Sequence, residues 1–220
     1  MERLHFESEM QALKSQLLTM GGLVENRIHR AVDSLIHRKE AEAKNVIESD
    51  VEINNLQIEI DERCLKILAT QTPVAVDLRF IAAAMKINSD LERMGDQAVN
   101  IAENTLKCLG QPPLKPFIDL PRMAALAQEM TRDSLDAFVR RDAVLARDVL
   151  LRDDTVDDLK DQIFRELLTY MMADPGTIAR ALSLILISRN LERVADHATN
   201  IAEDVIFMVE AKDVRHRANL

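Results

Sequence analysis

The sequence predicts an all-α protein, built as two pseudo-symmetric three-helix bundles with six long helices. Three observations support this fold class. Only 5 glycines and 6 prolines interrupt 220 residues, far fewer turn residues than a β-sandwich or barrel needs. Apolar residues recur three and four positions apart through long windows, which is the period of an amphipathic helix. The chain also repeats itself after about a hundred residues, which predicts a duplicated unit.

The repeat is clearest in LERMGDQAVNIAE at 91–103 and LERVADHATNIAE at 191–203, which are identical at nine of thirteen positions. The similarity extends upstream. The segment around Asp50 matches the one around Asp153, and the turn around Pro73 matches the turn around Pro175. A unit of this length is too long for a solenoid repeat and is typical of a duplicated small domain.

Breaks in the helical pattern divide each unit into three helices. The first unit breaks near 38–41, at 71–73 and at 110–122, and the second breaks near 141 and at 174–176 before a last helix that runs to about 212. Short connections make successive helices antiparallel, so each unit is predicted to run up, down and up. Three prolines between 112 and 116 predict a stiff joint. We therefore place the first bundle at 1–112 and the second at 117–220.

Charge and motifs exclude several classes of function. A net charge of -9 with scattered Lys and Arg argues against direct binding of nucleic acid. No apolar run approaches the length of a membrane span, and the first residues lack a signal-peptide pattern, so a cytoplasmic protein is expected. Cys64 and Cys108 stand singly inside helical patterns and are expected to be buried. The absence of a Gly-rich phosphate loop and of a GxSxG elbow argues against an ATPase or hydrolase.

Acidic and amide side chains form one stripe on the last helix of each unit. At about 100° per residue, Glu92, Asp96 and Asn100 project together. Glu192, Asp196 and Asn200 repeat that stripe. The preceding helix of each unit has a matching four-residue step, formed by Asp50 and Asn54 in the first unit and by Asp153 and Asp157 in the second.

The turns bring the two stripes of each unit to the same level. Asn54 lies 19 residues before Pro73 and Glu92 lies 19 after it, while Asp50 and Asp96 each lie 23 residues from it. Protonation or bound cations relieve the repulsion between carboxylates at this spacing. Oxygen ligands suit hard cations such as Mg²⁺, Ca²⁺, Mn²⁺ or Fe³⁺. The simpler alternative is a solvated acidic face, with Arg93 and Arg193 as neutralising neighbours.

These motifs resemble the PhoU family of bacterial phosphate-uptake regulators. The resemblance rests on the LER-x-G-D-x-A-x-N-I stripe, the D-x-x-[VI]-[ND] step before it, YMMADPGTI at 170–178 and DVRH at 213–216. It covers nearly the whole chain, and it implies two bundles whose E(D)xxxD motifs bind metal clusters. It also implies a non-enzymatic, cytoplasmic and often dimeric negative regulator of phosphate uptake and of the phosphate-starvation regulon.

The resemblance implies partners and ligands as well. The partners are the ATPase subunit of the phosphate ABC transporter and a phosphate sensor histidine kinase, so the protein meets the membrane only through them. The metal is Fe, Mn, Mg, Zn or Ca. Site one takes Asp50, Asn54, Glu92, Asp96 and Asn100, and site two takes Asp153, Asp157, Glu192, Asp196 and Asn200. Asn54 stands where the second half has Asp157, so site two is expected to bind metal more tightly.

The sequence is also compatible with one alternative function, that of a carboxylate-bridged di-iron enzyme or a metal-storage protein. A ferritin-like oxidase needs ExxH motifs on two facing helices, and the chain has one, from Glu2 to His5. The sequence therefore gives this alternative little support. His197, which is two positions off the edge of the acidic stripe, is expected to be a surface residue rather than a ligand.

Overall fold

The structure, a computed structural model, describes residues 2–214 and forms no β-strand within that range. The helices are α1 (Glu2–Ile36), α2 (Glu40–Glu48), α3 (Val51–Thr70), α4 (Ala75–Leu109), α5 (Asp119–Arg140), α6 (Ala143–Ala173) and α7 (Ile178–Glu210), with a 3₁₀ turn at Pro175–Thr177. The all-α prediction with six long helices is confirmed, except that α2 and α3 together make up the second long helix. Positions 215 and 216 of the DVRH segment lie outside the described residues.

Side-chain contacts establish the up-down-up order in both halves. In the first half Arg63 of α3 donates to Gln16 of α1 at 2.6 Å, and Asn88 of α4 donates to Asp61 of α3 at 2.9 Å. In the second half Arg152 of α6 contacts Asp133 of α5 at 2.7 Å. Successive helices are therefore antiparallel, as the short connections predict.

The first helix of each half ends in the same way. Arg38 and Arg141 have φ values of 55° and 56°, which lie in the left-handed region. This conformation ends a helix because the next amide can no longer continue the helical hydrogen-bond pattern. The side chain of Asp142 then accepts hydrogen bonds from the amides of Val144 and Leu145 and caps α6. These are the positions at which the sequence predicts breaks.

The second long helix of the first half is interrupted at Ser49 and Asp50, where the sequence predicts continuous helix. The guanidinium of Arg27, which is 3% exposed, donates both to the backbone oxygen of Ser49 and to the carboxylate of Asp50. A side chain of α1 therefore forms a hydrogen bond with the backbone carbonyl of Ser49, at the point where the helix is interrupted. The equivalent helix of the second half, α6, is continuous.

The two halves pack together through α4 and α7, which run antiparallel. Arg79 Nε donates to the backbone oxygen of Met208, Lys86 contacts Asp204 at 2.7 Å, and Asp90 lies level with His197. A pseudo-two-fold axis therefore passes between the midpoints of these helices. One continuous apolar core spans both halves, and Phe80 stacks on Phe138 across them at 4.6 Å.

The joint between the halves is anchored to both of them. Arg38 donates to the backbone oxygens of Leu109 and Gln111 at 2.6 and 2.8 Å, and Arg180 donates to that of Pro112 at 2.8 Å. The buried ammonium of Lys115 pairs with Glu166 of α6. These contacts fix the joint in place. The proposed domain limits, 1–112 and 117–220, remain a prediction.

Two further features of the sequence have a clear place in the fold. Cys64 and Cys108 are buried and unpaired, as expected. Burial raises the pKa of the Cys64 thiol to about 12, which keeps it protonated and unreactive. None of the helices within residues 2–214 is long and apolar enough to cross a membrane.

Candidate metal centre

Site one lies where the break between α2 and α3 faces the middle of α4. Arg27 Nη1 donates to Asp50 Oδ1 at 3.0 Å, and Asn54 Nδ2 donates to Asp50 Oδ2 at 2.9 Å. The two helices approach closely because Gly95 has no side chain. A Cβ at that position would lie 3.1 Å from Ile53 Cδ1 and 3.7 Å from Arg27 Nη1. A small residue at this position therefore lets α3 and α4 approach closely, and Ala195 occupies the matching position of the second half.

The electrostatics of site one show carboxylates that interact with one another. Burial raises the pKa of Asp96, and the charge of Asp50 raises it further. Burial and then Asp96 raise the pKa of Glu92. The amide oxygen of Asn54 is buried and has no hydrogen-bond partner, which is a costly state for a polar atom. The raised carboxyl pKa values and the unpaired oxygen of Asn54 both favour binding of a cation that can accept oxygen ligands.

Site two repeats this arrangement between α6 and α7. Lys160 Nζ contacts Asp157 Oδ1 at 2.7 Å and Glu192 Oε1 at 3.0 Å. Burial raises the pKa of Asp153 to about 6, with a further contribution from the charge of Asp196. Burial and then Glu192 raise the pKa of Asp196. The excess negative charge is therefore greater here than at site one.

A protein cation is paired with the carboxylates at each site, and the two cations come from different places. Arg27 of α1 serves site one, and Lys160 of α6 serves site two. When Arg38 is matched with Arg141, Met130 occupies the position of Arg27 in the second half. The ion pair between Arg27 and Asp50 therefore has no counterpart there. Neither cation is among the residues predicted from the sequence. The sequence feature that indicates Arg27 is its position beside the buried stripe of Val24 and Ile28. The feature that indicates Lys160 is its spacing of three residues from Asp157.

The predicted ligands have the chemistry that hard cations require, but their side chains are not arranged around a common point. Every predicted ligand offers oxygen, and the raised carboxyl pKa values show that positive charge would be stabilised. Yet in the part of the chain that the structure describes, no three His, Cys, Asp or Glu side chains come close enough together to hold one metal ion. Binding would require rotation of the carboxylates away from Arg27 and Lys160.

The last predicted ligands differ in their surroundings. Asn100 is half-buried on the acidic stripe of α4. Asn200 instead donates from its side-chain amide to Asp90 Oδ1 across the α4–α7 interface, at 3.4 Å. The structure therefore brings Asn200 to the other half of the molecule.

His197 is not the surface residue that the sequence analysis expects. Its side chain is 14% exposed, and Nδ1 lies 2.9 Å from Asp90 Oδ1. The prediction was wrong because the position borders the acidic stripe but faces α4, and packing between the two halves cannot be read from the pattern of one helix. Asp90 is not predicted either, although it is an acidic residue on the buried face of α4.

The fold and the paired acidic motifs define a class of helical proteins with an internally duplicated three-helix unit. A family profile described as PhoU domain matches residues 17–105 and again 120–205. The chain belongs to the PhoU family, and the predicted resemblance is confirmed.

Individual relatives agree over nearly the full length. The chain is 44% identical to the phosphate-specific transport system accessory protein PhoU homolog of Pseudomonas putida, over 96% of this chain and 83% of that protein. It is 42% identical to the homolog of Aquifex aeolicus, over 95% of both chains. The relatives are named as accessory proteins and not as enzymes, so the prediction of a non-enzymatic protein is confirmed.

Solved structures share the fold. The crystal structure of PhoU from Pseudomonas aeruginosa superposes with a TM-score of 0.90 at 41% identity, covering 94% of this chain and all of that one. The phosphate transport system regulatory protein PhoU from Streptococcus pneumoniae gives a TM-score of 0.87 at 30% identity, over 95% and 99% of the two chains. Six long helices in two bundles are therefore the architecture of this family.

Proposed function

We propose that this protein is an accessory regulator of phosphate transport that restrains phosphate uptake and keeps the phosphate-starvation regulon switched off when phosphate is ample. The observation that carries this proposal is the full-length match to relatives named as accessory proteins of the phosphate-specific transport system. The relatives' names describe no enzyme, so the alternative of a di-iron enzyme gains no support.

The partners in this proposal are the ATPase subunit of the phosphate ABC transporter and a phosphate sensor histidine kinase. The protein would act as an adaptor between them in the cytoplasm, as a homodimer that meets the membrane only through its partners. The absence of a membrane-spanning helix within residues 2–214 is compatible with such a peripheral role. Two similar halves give an adaptor two related but distinct surfaces.

Metal binding is the second part of the proposal. Asp50, Asn54, Glu92, Asp96 and Asn100 would hold one ion or cluster, and Asp153, Asp157, Glu192, Asp196 and Asn200 the other. Support comes from the raised carboxyl pKa values at both sites and from the unpaired buried oxygen of Asn54. A bound hard cation would neutralise these carboxylates, whose mutual repulsion the two protein cations relieve only in part.

A deletion strain tests the regulatory role. Without this protein, a phosphate-starvation promoter should be active in phosphate-rich medium, and the intact gene should restore repression. Normal repression in the deletion strain would overturn the regulatory proposal.

The double variant Glu192→Gln, Asp196→Asn tests in the same strain whether repression requires the metal site, with exposed Asp158→Asn as the matched control. If metal is needed, the double variant fails to restore repression while the control restores it.

A further inference from the structure

An apolar groove runs along the outer face of the α6–α7 hairpin, from site two toward the turn at Pro175. At its inner end a cavity of about 280 Å³ has an apolar side formed by Phe164 and Ile185. Its polar lining is formed by Lys160, Asp161, Ser188, Arg189 and Glu192. Phe164 is 47% exposed and Leu182 is 50% exposed. The groove continues along both helices through the exposed side chains of Leu168, Met172 and Ile178.

The equivalent groove of the first half is closed, which makes the open one a specific feature. Matching Asp153 with Asp50 puts Asp61 at the position of Phe164, and matching Leu191 with Leu91 puts Ala82 at the position of Leu182. Asn88 of α4 bridges that closed groove, since its amide donates to Asp61 and to the backbone oxygen of Gln57, both at 2.9 Å. Duplication explains the exposure of Leu168 and Ile178, because Leu65 and Leu78 are exposed at the matching positions of the first half. It does not explain the exposure of Phe164 and Leu182.

Charge differs between the two grooves in the same way. Arg165 and Arg189 flank the open groove, and Glu62 and Ser89 occupy the matching positions of the first half. Both arginines are exposed, and neither forms an ion pair with any residue between 5 and 214. Arg165 Nε donates only to the backbone oxygen of Asp161, at 3.2 Å. The open groove thus combines apolar surface with two guanidinium groups that have no carboxylate partner among residues 5–214, in a chain whose net charge is -9. Such a surface is complementary to an acidic amphipathic segment.

The size of the groove selects the kind of partner. The exposed apolar side chains present on the order of 500 Å², whereas a stable dimer buries about 800 Å² on each partner. A groove bounded by two helices fits the apolar face of one helix, with anchors at i, i+3 or i+4 and i+7. A single helix therefore matches this surface better than a second copy of the chain.

We propose that the α6–α7 groove binds an amphipathic helix of a partner protein, with the helix's apolar residues against Phe164 and Leu182 and its acidic residues against Arg165 and Arg189. The proposal deepens the adaptor role proposed above and rests on that role only for the existence of a partner. Lys160 and Glu192 of site two also line the inner end of the groove, so binding of the helix is measured on metal-free protein.

A displayed library of amphipathic helices tests the proposal. Each helix has about 16 residues, with leucine fixed at i, i+4 and i+7 and the flanking positions varied among Glu, Gln and Lys. Selection on the intact protein should enrich Glu. The selected peptide should then bind about tenfold more weakly to Phe164→Asp and to Arg189→Glu. Leu168→Asp should also weaken binding, while Leu65→Asp, the same position in the first half, should leave it unchanged.

The outcomes are distinct. Enrichment of Lys, no enrichment, or equal affinity for the groove variants and the Leu65→Asp control would overturn the proposal. Sedimentation that shows self-association of the native protein, lost in Phe164→Asp, would overturn it in favour of a second copy as the occupant. The selection can yield no binding helix while deletion of the gene still activates phosphate-starvation genes. That result would overturn the groove as a binding site and leave the proposed adaptor role intact. All of the substituted positions are exposed or half-exposed, and circular dichroism verifies folding of each variant.

Discussion

The imidazole of His197 in the second half lies 2.9 Å from the carboxylate of Asp90 in the first half. Asp90 is 8% exposed, and the amide of Asn200 is its other partner from α7. This pair crosses the pseudo-two-fold interface at the level of the two acidic sites. It is a polar contact between halves that are otherwise joined largely by apolar packing.

Removal of this contact should destabilise the protein. We expect His197→Ala to lower the free energy of unfolding by about 1–3 kcal/mol, because it leaves a buried carboxylate with one weak partner. His197→Gln, which restores a donor, should lose less. Urea unfolding followed by circular dichroism measures both. Exposed His29→Ala is the control, and equal losses in His29→Ala and His197→Ala would contradict the structural role of the pair.

Site two should bind Mn²⁺ more tightly than site one, by on the order of tenfold. A carboxylate in place of an amide changes the interaction with the ion by about 4 kcal/mol at an effective dielectric near 20, and desolvation, carboxylate repulsion and Lys160 offset much of that. Asp157→Asn should erase the difference, and Asn54→Asp should strengthen site one. Titration of metal-free protein tests this. If Asp157→Asn leaves both affinities unchanged, Asp157 is not a ligand.

Lys160→Gln should increase the affinity of site two for Mn²⁺, by about tenfold. The ammonium now occupies Asp157 and Glu192 at 2.7 and 3.0 Å, so an ion must displace it. Without metal the same variant should be less stable, because Asp157 and Glu192 lose the lysine that pairs with them. Calorimetric titration and thermal unfolding give the two values. Lys44→Gln, which removes an exposed ion pair with Glu40, should change neither.

Asp153 should make the metal-free protein less stable as the pH rises. Its pKa in the folded protein is about 6, against 3.8 for an unperturbed aspartate. Below about pH 4 it is protonated in both states and has no effect. Between about pH 4 and 6 the unfolded chain releases the proton first, so stability falls, and the loss is complete above about pH 6.

The measurement for Asp153 is a series of thermal melts. At pH 7.5 Asp153→Asn should raise the melting temperature by about 2–4 °C, which corresponds to about 1 kcal/mol once solvent screening of this half-exposed group is included. At pH 3.5 the two proteins should melt together. The adjacent exposed Asp154→Asn should show no such pH dependence. A constant difference at all pH values would mean that charge at position 153 is not its cause.

Two adjacent glycines of α1 should respond differently to alanine. Gly22 faces open space, so Gly22→Ala should stabilise the helix by about 0.5–1 kcal/mol. A Cβ on Gly21 would lie 2.2 Å from Leu135 Cδ1 of α5, and that buried leucine would have to repack. We expect Gly21→Ala to be less stable than Gly22→Ala by about 1–3 kcal/mol. Denaturant unfolding compares them, and equal stabilities would show that α1 and α5 are not in close contact.

Local patterns in the sequence predict most of the fold, because the helices end at features that are local. The left-handed turns at Arg38 and Arg141 and the prolines at 73 and 175 coincide with observed helix ends. The break at Ser49 could not be predicted. It depends on Arg27, which precedes it by more than twenty residues, and no helix-breaking residue marks it.

The acidic stripes are predictable for the same reason, since they follow the period of a single helix. Of the cations that pair with them, Arg27 could not be predicted, because it reaches Asp50 from another helix. Lys160 could have been predicted, because it lies three residues after Asp157 on the same helix. His197 and Asn200 face the other half, and the sequence of one half contains no information on how the two halves pack.

The antiparallel packing of α4 and α7 has a consequence for distance. Each of these helices starts at a proline-containing turn, so the two turns lie at opposite ends of the molecule. A helix of 33 or 35 residues spans roughly 50 Å, and the acidic sites lie near its middle. Groups at the two turns are therefore about 50 Å apart, and a change of charge at the midpoint is about 25 Å from each end.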